Sequence, residues 1–579
     1  MALRDRLAEL DPRVLAQRLA ADPPHRIVAR AAAVLRRTGM LEAGANRVAM
    51  ARVVLREGMG VRSMHAIHAA ATPGRTAIID RHRRLDYAGL LAEIEATAHL
   101  LHDDGARRGE PVGLMMENRA EYIVLWMALT RLGIPCAHLS SSSKASELGP
   151  LLERTGIVRL FVSEATAPTA AEFVHEHPDT GLAVFHVGEA PPASMRPYRT
   201  PMHARLGRGP LGATTGGDAA SVVYTSGTTG QPKGAVRDLG ALGPLELLRI
   251  LERLPMRVGD RHLVVAPLYH SGAQAFTLIN TALASTLVLL DRFDADQALA
   301  LLSRERIHSV FMVPTMLQRI LDLPASVHAR RPTPCLNAII SGAAPFSIGL
   351  RARAIERFGA GAIFDFYGAT ELGWVTLADG HEMSARPGTL GRALGGQELR
   401  VVDDARQPVP PGTIGKIYTR SAQHMRGYLR DDEATAEIRD HGWVTVDDLG
   451  FVDADGHLFL TGRARDMVIS GGVNVYPAEV ENVLSQHDSV RDVAVIGLPD
   501  PQWGERLTAV IVPAPGFDVA QVAQLDGWCR ERLAKAKLPR RWETVDTLPR
   551  NPTGKVLKQL LRDQFGGPDG AQGPTNVSS

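Results

Sequence analysis

The sequence predicts an α/β fold: a large amino-terminal domain of two parallel-type sheet subdomains plus a small β-barrel-like subdomain, then a small α+β carboxy-terminal domain. Three observations carry this. From about residue 63, short apolar runs rich in β-branched residues alternate with helical segments, the pattern of parallel sheets covered on both faces. Between Leu390 and Leu460 the texture turns β-rich, with a Pro-Val-Pro-Pro-Gly turn at 408–412. Beyond Arg465, strand and helix patterns repeat over a segment of about a hundred residues, enough for an independent core.

The elements follow in order. Residues 1–62 form an arginine-rich extension that reads as amphipathic helices, notably Arg13–Leu19 and His25–Arg37. Such helices suit either peripheral contact with a membrane or a helical cap packed on the main domain. Their apolar residues are mostly Ala and Val rather than Trp or Phe anchors, which favours the cap. In the large domain (63–464), Tyr87–Asp103 and Glu121–Leu132 read as helices. Strands are predicted at Val112–Met116, Leu160–Val162, Val222–Tyr224, Leu263–Ala266, Thr286–Leu290, Val310–Val313, Ala338–Ile340 and Ala362–Phe366. Leu399–Val402 and Lys416–Thr419 belong to the β-rich part. In the small domain (465–565), Glu479–Gln486 and Val519–Ala536 read as helices, with strands at Val493–Leu498 and Leu507–Pro513. The tail 566–579, which opens Gly-Gly-Pro-Asp-Gly-Ala-Gln-Gly-Pro, has almost no apolar residues to bury and reads as disordered.

Composition excludes several functions. With 579 residues, 45% hydrophobic, 22% charged and a net charge of +2, the chain resembles ordinary globular proteins and offers no global case for nucleic-acid binding. Cys136, Cys335 and Cys529 are widely spaced, supporting neither a disulfide framework nor a zinc site, and a reduced, cytoplasmic setting fits best. The amino terminus is charged rather than signal-like, and the apolar stretch Phe276–Leu290 is too short to span a bilayer. Nothing in the sequence selects an oligomeric state.

Residues 224–235 read Tyr-Thr-Ser-Gly-Thr-Thr-Gly-Gln-Pro-Lys-Gly-Ala. Thr225, Ser226, Thr228 and Thr229 bring hydroxyls, Gly227 and Gly230 permit close backbone approach to an anion, and Lys233 brings full charge. That chemistry suits a polyphosphate. Gln231 and Pro232 before the lysine, and Gly234 after it, rule out the Walker pattern. Composition alone would also suit a surface loop, but the order of residues resembles the phosphate loop of the adenylate-forming superfamily. That superfamily includes acyl-CoA synthetases, luciferases and peptide-synthetase adenylation domains.

Further segments resemble the superfamily's motifs in order, from about residue 63 to about 560. In Tyr367-Gly368-Ala369-Thr370-Glu371 an aromatic can stack on adenine, Thr370 can reach the α-phosphate and Glu371 can hold Mg²⁺. In isolation this segment could be a turn into a helix capped by threonine. Gly442–Gly450 matches the ribose segment, with Asp448 as ribose ligand and Asp447 a competing candidate, since Val446-Asp447 replaces the usual Thr-Gly. By resemblance, Arg463 also contacts ribose, Arg465 is the hinge between domains, and Gly471 and Gly472 line a pantetheine channel. Pro549–Lys555 resembles the catalytic-lysine motif, placing Lys555 between the carboxylate and the α-phosphate. Pro267–Gly272 and Ser341–Pro345 resemble acyl-pocket and adenine walls, giving His270, Ser271, Gly342 and Ala343 as lining residues.

The resemblance implies ATP, Mg²⁺ and coenzyme A as partners of a small-molecule carboxylic acid, with a mobile carboxy-terminal domain. The Leu372-Gly373-Trp374 continuation and the arginine-rich extension resemble bacterial fatty acyl-CoA ligases, so a medium- or long-chain fatty acid is expected. The alternatives are a fatty acyl-AMP ligase serving a carrier protein, or a nucleotide-binding regulator without catalysis.

Overall fold

The computed structural model describes residues 24–40, 46–211, 220–226, 232–239, 243–518, 521–551 and 554–566. The helix expected at Arg13–Leu19, the loop residues Gly227, Thr228, Thr229 and Gly230, and the tail beyond Gly566 lie outside the described residues.

Two sheets organise the large domain. In the first, Ala183–His186, Arg159–Val162, Val112–Met115, Cys136–His138 and Ala220–Ser226 are parallel neighbours. Pro232–Asp238 then adds antiparallel to Ala220–Ser226, with Gly427–Tyr428 beyond it. The second sheet has a parallel core of Thr76–Ile79, Thr286–Leu289, Arg261–Val264, Ser309–Met312, Ala338–Gly342 and Ile363–Ala369. Past Ile363–Ala369 its strands turn antiparallel, through Gly373–Asp379 and Thr389–Ala393 to His457–Arg463, Asp448–Val452 and Gly415–Arg420. This antiparallel part is the β-rich segment read from the sequence, and it folds over its own core of Leu372, Val375, Leu390, Ile417 and Leu458.

Between the two sheets lies the main core. Helix Ala120–Leu132 is apolar on nearly every face and almost wholly buried, as an all-round hydrophobic helix must be. Asn118, just before it, ties the sheets together. Its amide donates to the carbonyls of Ala266 and Leu290, both at 3.1 Å, and its Oδ1 accepts from the Leu268 amide at 2.8 Å. The strand expected at Leu263–Ala266 therefore stops at Val264, because the Ala266 carbonyl is taken by this side chain. The apolar stretch Phe276–Leu290 divides between helix Ser271–Ala282 and the buried strand Thr286–Leu289. No described helix is long and apolar enough to cross a membrane.

In the extension, helix Pro24–Arg37 packs on the large domain as a cap. Val34 is 4% exposed within the main core, and Arg37 donates to the Leu254 carbonyl at 3.1 Å. The carboxy-terminal unit has a separate sheet of Val473–Val475, Val468–Ser470, Gly504–Pro513, Val490–Asp500 and Arg541–Thr544. Helices Pro477–Leu484 and Val522–Arg532 pack on it over Val480, Leu484, Val495, Ile511 and Leu525. The helix predicted at Val519–Ala536 is shorter than expected. The backbone turns extended at Leu533 before a single 3₁₀ turn at Lys535–Lys537.

Candidate active site

The two strands Ala220–Ser226 and Pro232–Asp238 pair through Thr225↔Lys233 and Ser226↔Pro232, so residues 227–231 connect the two arms of a hairpin. Lys233 is thereby held in a strand, its ammonium 5.4 Å from the Tyr428 ring centroid. The Thr225 hydroxyl, on the facing strand, donates to Glu371 Oε1 at 3.2 Å.

Glu371 sits at the tip of a second hairpin. Ile363–Ala369 runs through the Tyr367-Gly368-Ala369 motif and pairs Ala369 with Gly373, leaving Thr370–Leu372 as the turn. The motif is thus a β-hairpin tip and not a helix entry. Gly368 is required there, because a Cβ would lie 2.2 Å from the Gly373 carbonyl. Thr370 Oγ1 and Ser271 Oγ are hydrogen-bonded at 2.9 Å, joining the Pro267–Gly272 segment to this tip. Glu371 is 7% exposed, and its Oε1 accepts from both Thr225 and the Tyr428 hydroxyl (2.9 Å). That leaves Oε2 without a hydrogen bond among the described residues, so the carboxylate has a hard oxygen to offer a cation such as Mg²⁺.

Across the site, Asp448 and Arg463 face each other on neighbouring strands. Arg463 Nε donates to Asp448 Oδ1 at 3.0 Å, and the Tyr367 hydroxyl donates to Asp448 Oδ2 at 2.9 Å. Burial, reinforced by the Asp448 charge, pushes the Tyr367 phenol well above its ordinary pKa. Asp447, the competitor, points elsewhere: its carboxylate is 51% exposed and pairs with Lys416 at 2.8 Å. Its φ of +60° explains the departure at this position, since aspartate tolerates the left-handed conformation for which glycine is the default.

A cleft of about 1060 Å³ opens between the domains, bordered by Tyr367, Gly368, Ala343, Asp448, Arg463 and Lys555. Lys555 is held in a tight loop, its amide donating to Asn551 Oδ1 at 2.9 Å. Burial, then the positive charges of Arg463 and Arg465, pull its ammonium down to about 8. Ala343 takes a φ of +66°, a strained value for a residue with a side chain. Neighbouring Gly342 has no room for one, since a Cβ would come 2.6 Å from the Phe366 carbonyl.

The remaining predicted residues sit apart from this cleft. Arg465 is exposed in the 3₁₀ turn Ala464–Asp466 that leads into the small domain. Gly471 (φ +59°) and Gly472 (φ +78°) form the turn between Val468–Ser470 and Val473–Val475, with Gly471 packed against the Trp503 ring. Neither lines the cleft that Lys555 borders. Burial pushes His270 down to about 4, and its Nε2 is buried without a partner among the described residues.

Two residues were missed by sequence reasoning. Tyr428, 57 positions from Glu371, reaches it only because Gly427–Tyr428 adds to the edge of the first sheet. Arg237 donates to the Thr370 carbonyl at 3.1 Å, and burial lowers its pKa. Its one sequence signal was period two: Lys233, Ala235 and Arg237 share a strand face.

The Glu371 hairpin tip, and a cleft bordered by the Asp448–Arg463–Tyr367 cluster and by Lys555 of the second domain, are the site of an adenylate-forming enzyme. The AMP-binding enzyme family model matches residues 66–429, and that of the AMP-binding enzyme C-terminal domain matches residues 479–555. The chain belongs to the AMP-binding enzyme family and is an enzyme of the acid–thiol ligase class. It is 33% identical over 509 residues to a feruloyl-CoA synthase of an Amycolatopsis species, covering 88% of this chain and 99% of that one. It is 31% identical to a fatty acid–[acyl-carrier-protein] ligase of Streptomyces coeruleorubidus, covering 87% of this chain and 96% of the relative. Among solved structures, ATP-bound MatB from Rhodopseudomonas palustris superposes with a TM-score of 0.77 at 28% identity, covering 88% of this chain and 99% of that one.

Proposed function

We propose that the protein is an ATP-dependent acyl-CoA synthetase. A carboxylate oxygen of the substrate bonds to the α-phosphorus of ATP, the α–β anhydride breaks, and pyrophosphate leaves. The thiolate of coenzyme A then attacks the acyl carbon, the bond to AMP breaks, and a thioester forms. The observation that carries this reading is the approach of Lys555 to the cleft that Tyr367, Asp448 and Arg463 border.

In this reading Asp448 and Arg463 hold the ribose, with Tyr367, Gly342 and Ala343 along the adenine. Lys233, with Thr225 and the loop from Ser226 to Gly230, holds the β- and γ-phosphates. Glu371 and Thr370 hold the metal and the α-phosphate. When bound, Mg²⁺ would supply positive charge that offsets the negative charge of the phosphates. Lys555 offsets the repulsion between the incoming carboxylate and the phosphate, a charge stabilisation that is strong in a water-poor site. Arg465 is proposed as the hinge that exchanges Lys555 for the Gly471–Gly472 turn, the step that admits coenzyme A. His270 and Ser271 are placed at the mouth of the acyl pocket.

A second reading, transfer to a carrier protein, is supported by the likeness to the acyl-carrier-protein ligase. One assay separates the two. Purified protein receives ATP, Mg²⁺ and a panel of fatty and aryl carboxylic acids, with pyrophosphate and thioester measured with and without coenzyme A. The expected outcome is pyrophosphate release followed by coenzyme-A-dependent thioester. Pyrophosphate without thioester would favour the carrier-protein reading. Neither product with any acid would support a regulator and overturn both.

A further inference from the structure

Once a carboxylate lies beside Thr370, the rest of the acid must leave past the groups around it. Ser271 is bonded to Thr370, so the segment Ser271-Gly272 forms one wall. Gly342 and Gly368 form another, on neighbouring strands of the second sheet. At Gly342 and Gly368 backbone carbonyls come nearest to a Cβ, and at all three of Gly272, Gly342 and Gly368 an aromatic ring lies close as well. A Cβ on Gly272 would fall 2.7 Å from Phe311 Cζ, and one on Gly368 would fall 2.7 Å from Phe366 Cζ. One on Gly342 would fall 3.0 Å from Phe366 Cδ1.

These rings belong to one stack. Phe366 meets Trp374 with centroids 4.5 Å apart, Trp374 meets Phe276 at 4.6 Å, and Phe276 lies nearly parallel to Phe311 at 4.8 Å. Phe276, Phe311 and Trp374 are each buried to within a few per cent. Phe366 alone is partly open and borders the cleft. The stack fills the layer between helix Ser271–Ala282 and the second sheet, anchored by ring contacts on both sides. Protein interiors are packed like crystals, so an extended chain could pass only by displacing several rings at once. Phe366 is the open end of the stack, on the border of the cleft.

We infer that the acyl pocket ends at the Phe366 ring and that the acid is compact and apolar, a single aromatic ring or a short aliphatic chain. This rests on the acyl-CoA synthetase reading and narrows its substrate. Trp374, part of the run that suggested a fatty acid in the sequence, is buried behind the Phe366 ring and backs it. A flat ring gains most there, since offset or edge-to-face aromatic contacts add to simple burial.

The test measures kcat/KM for thioester formation with benzoate, phenylacetate, cinnamate, hexanoate, dodecanoate and palmitate. Wild type is expected to prefer one of the compact acids over palmitate by at least tenfold. Phe366→Ala is expected to raise dodecanoate or palmitate at least tenfold relative to that compact acid. Phe366→Leu, a smaller change that keeps the core filled, should shift the order in the same direction by less. Palmitate as the best wild-type substrate, or an unchanged order in both variants, would overturn the inference while leaving the synthetase reading intact. Absence of pyrophosphate with every acid would overturn both.

Discussion

Lys555 shows how a single environment sets a role. Burial and two arginines destabilise its charged form, so its pKa falls to about 8. In the proposed reaction the cation is the form that would neutralise charge between carboxylate and phosphate, and it is lost as pH rises through that value. Adenylation kcat/KM, which reports the free enzyme, should therefore be flat below about pH 7 and fall tenfold per unit well above pH 8. Thioester formation from supplied acyl adenylate needs no such cation, and its pH profile should lack that fall. Pyrophosphate release followed across pH, beside thioester release from synthetic adenylate, checks both. A shared descending limb would reject the assignment. Asp447 makes a separate claim about backbone. At φ +60°, Asp447→Val should cost about 1–2 kcal/mol and Asp447→Gly a few tenths at most, read as shifts in Tm.

At the scale of elements, the docked arrangement depends on close approach at one helix end. A Cβ on Gly349, in helix Ile348–Phe358, would lie 2.3 Å from the carbonyl of Ser485, just beyond helix Pro477–Leu484 of the small domain. Nearby, Asp322 pairs with Arg353 at 2.8 Å and with Arg491 at 3.3 Å, but exposed ion pairs contribute little. The backbone contact is the stronger lever. Gly349→Leu should lower adenylation about tenfold or more, on the order of 1.4 kcal/mol, while sparing thioester formation from supplied adenylate. Loss of both half-reactions together would instead mean damage to the large domain. The strands and the helix Tyr87–Asp103 were legible because burial on both faces leaves long apolar runs. The antiparallel pairing of Pro232–Asp238 was not, since Gly234 and three charged residues, Lys233, Arg237 and Asp238, break its pattern. Motif residues within the site were legible through local order. Tyr428 and Arg237 were not, because their partners at Glu371 and Thr370 come from the other sheet and only tertiary packing joins them.

At the scale of the molecule, one domain carries two tools that cannot serve one cleft at once. Lys555 borders the cleft, whereas the Gly471–Gly472 turn lies off it, packed beside Trp503. On the proposed two-step reaction with one active site, the small domain would move as a body about the turn at Ala464–Asp466, where Arg465 is exposed. Opposite single substitutions follow from that division. Lys555→Ala should abolish pyrophosphate release with acid and ATP, yet leave thioester formation from supplied acyl adenylate near wild type. Gly472→Trp should do the reverse: nothing lies within 4 Å of a Cβ there, so folding tolerates the change apart from its positive φ, while the path for a thin thiol arm is blocked. Each half-reaction is measured separately in each variant. If either substitution lowered both equally, the two tools would be acting in one arrangement, and the body motion about Arg465 would have no work to do.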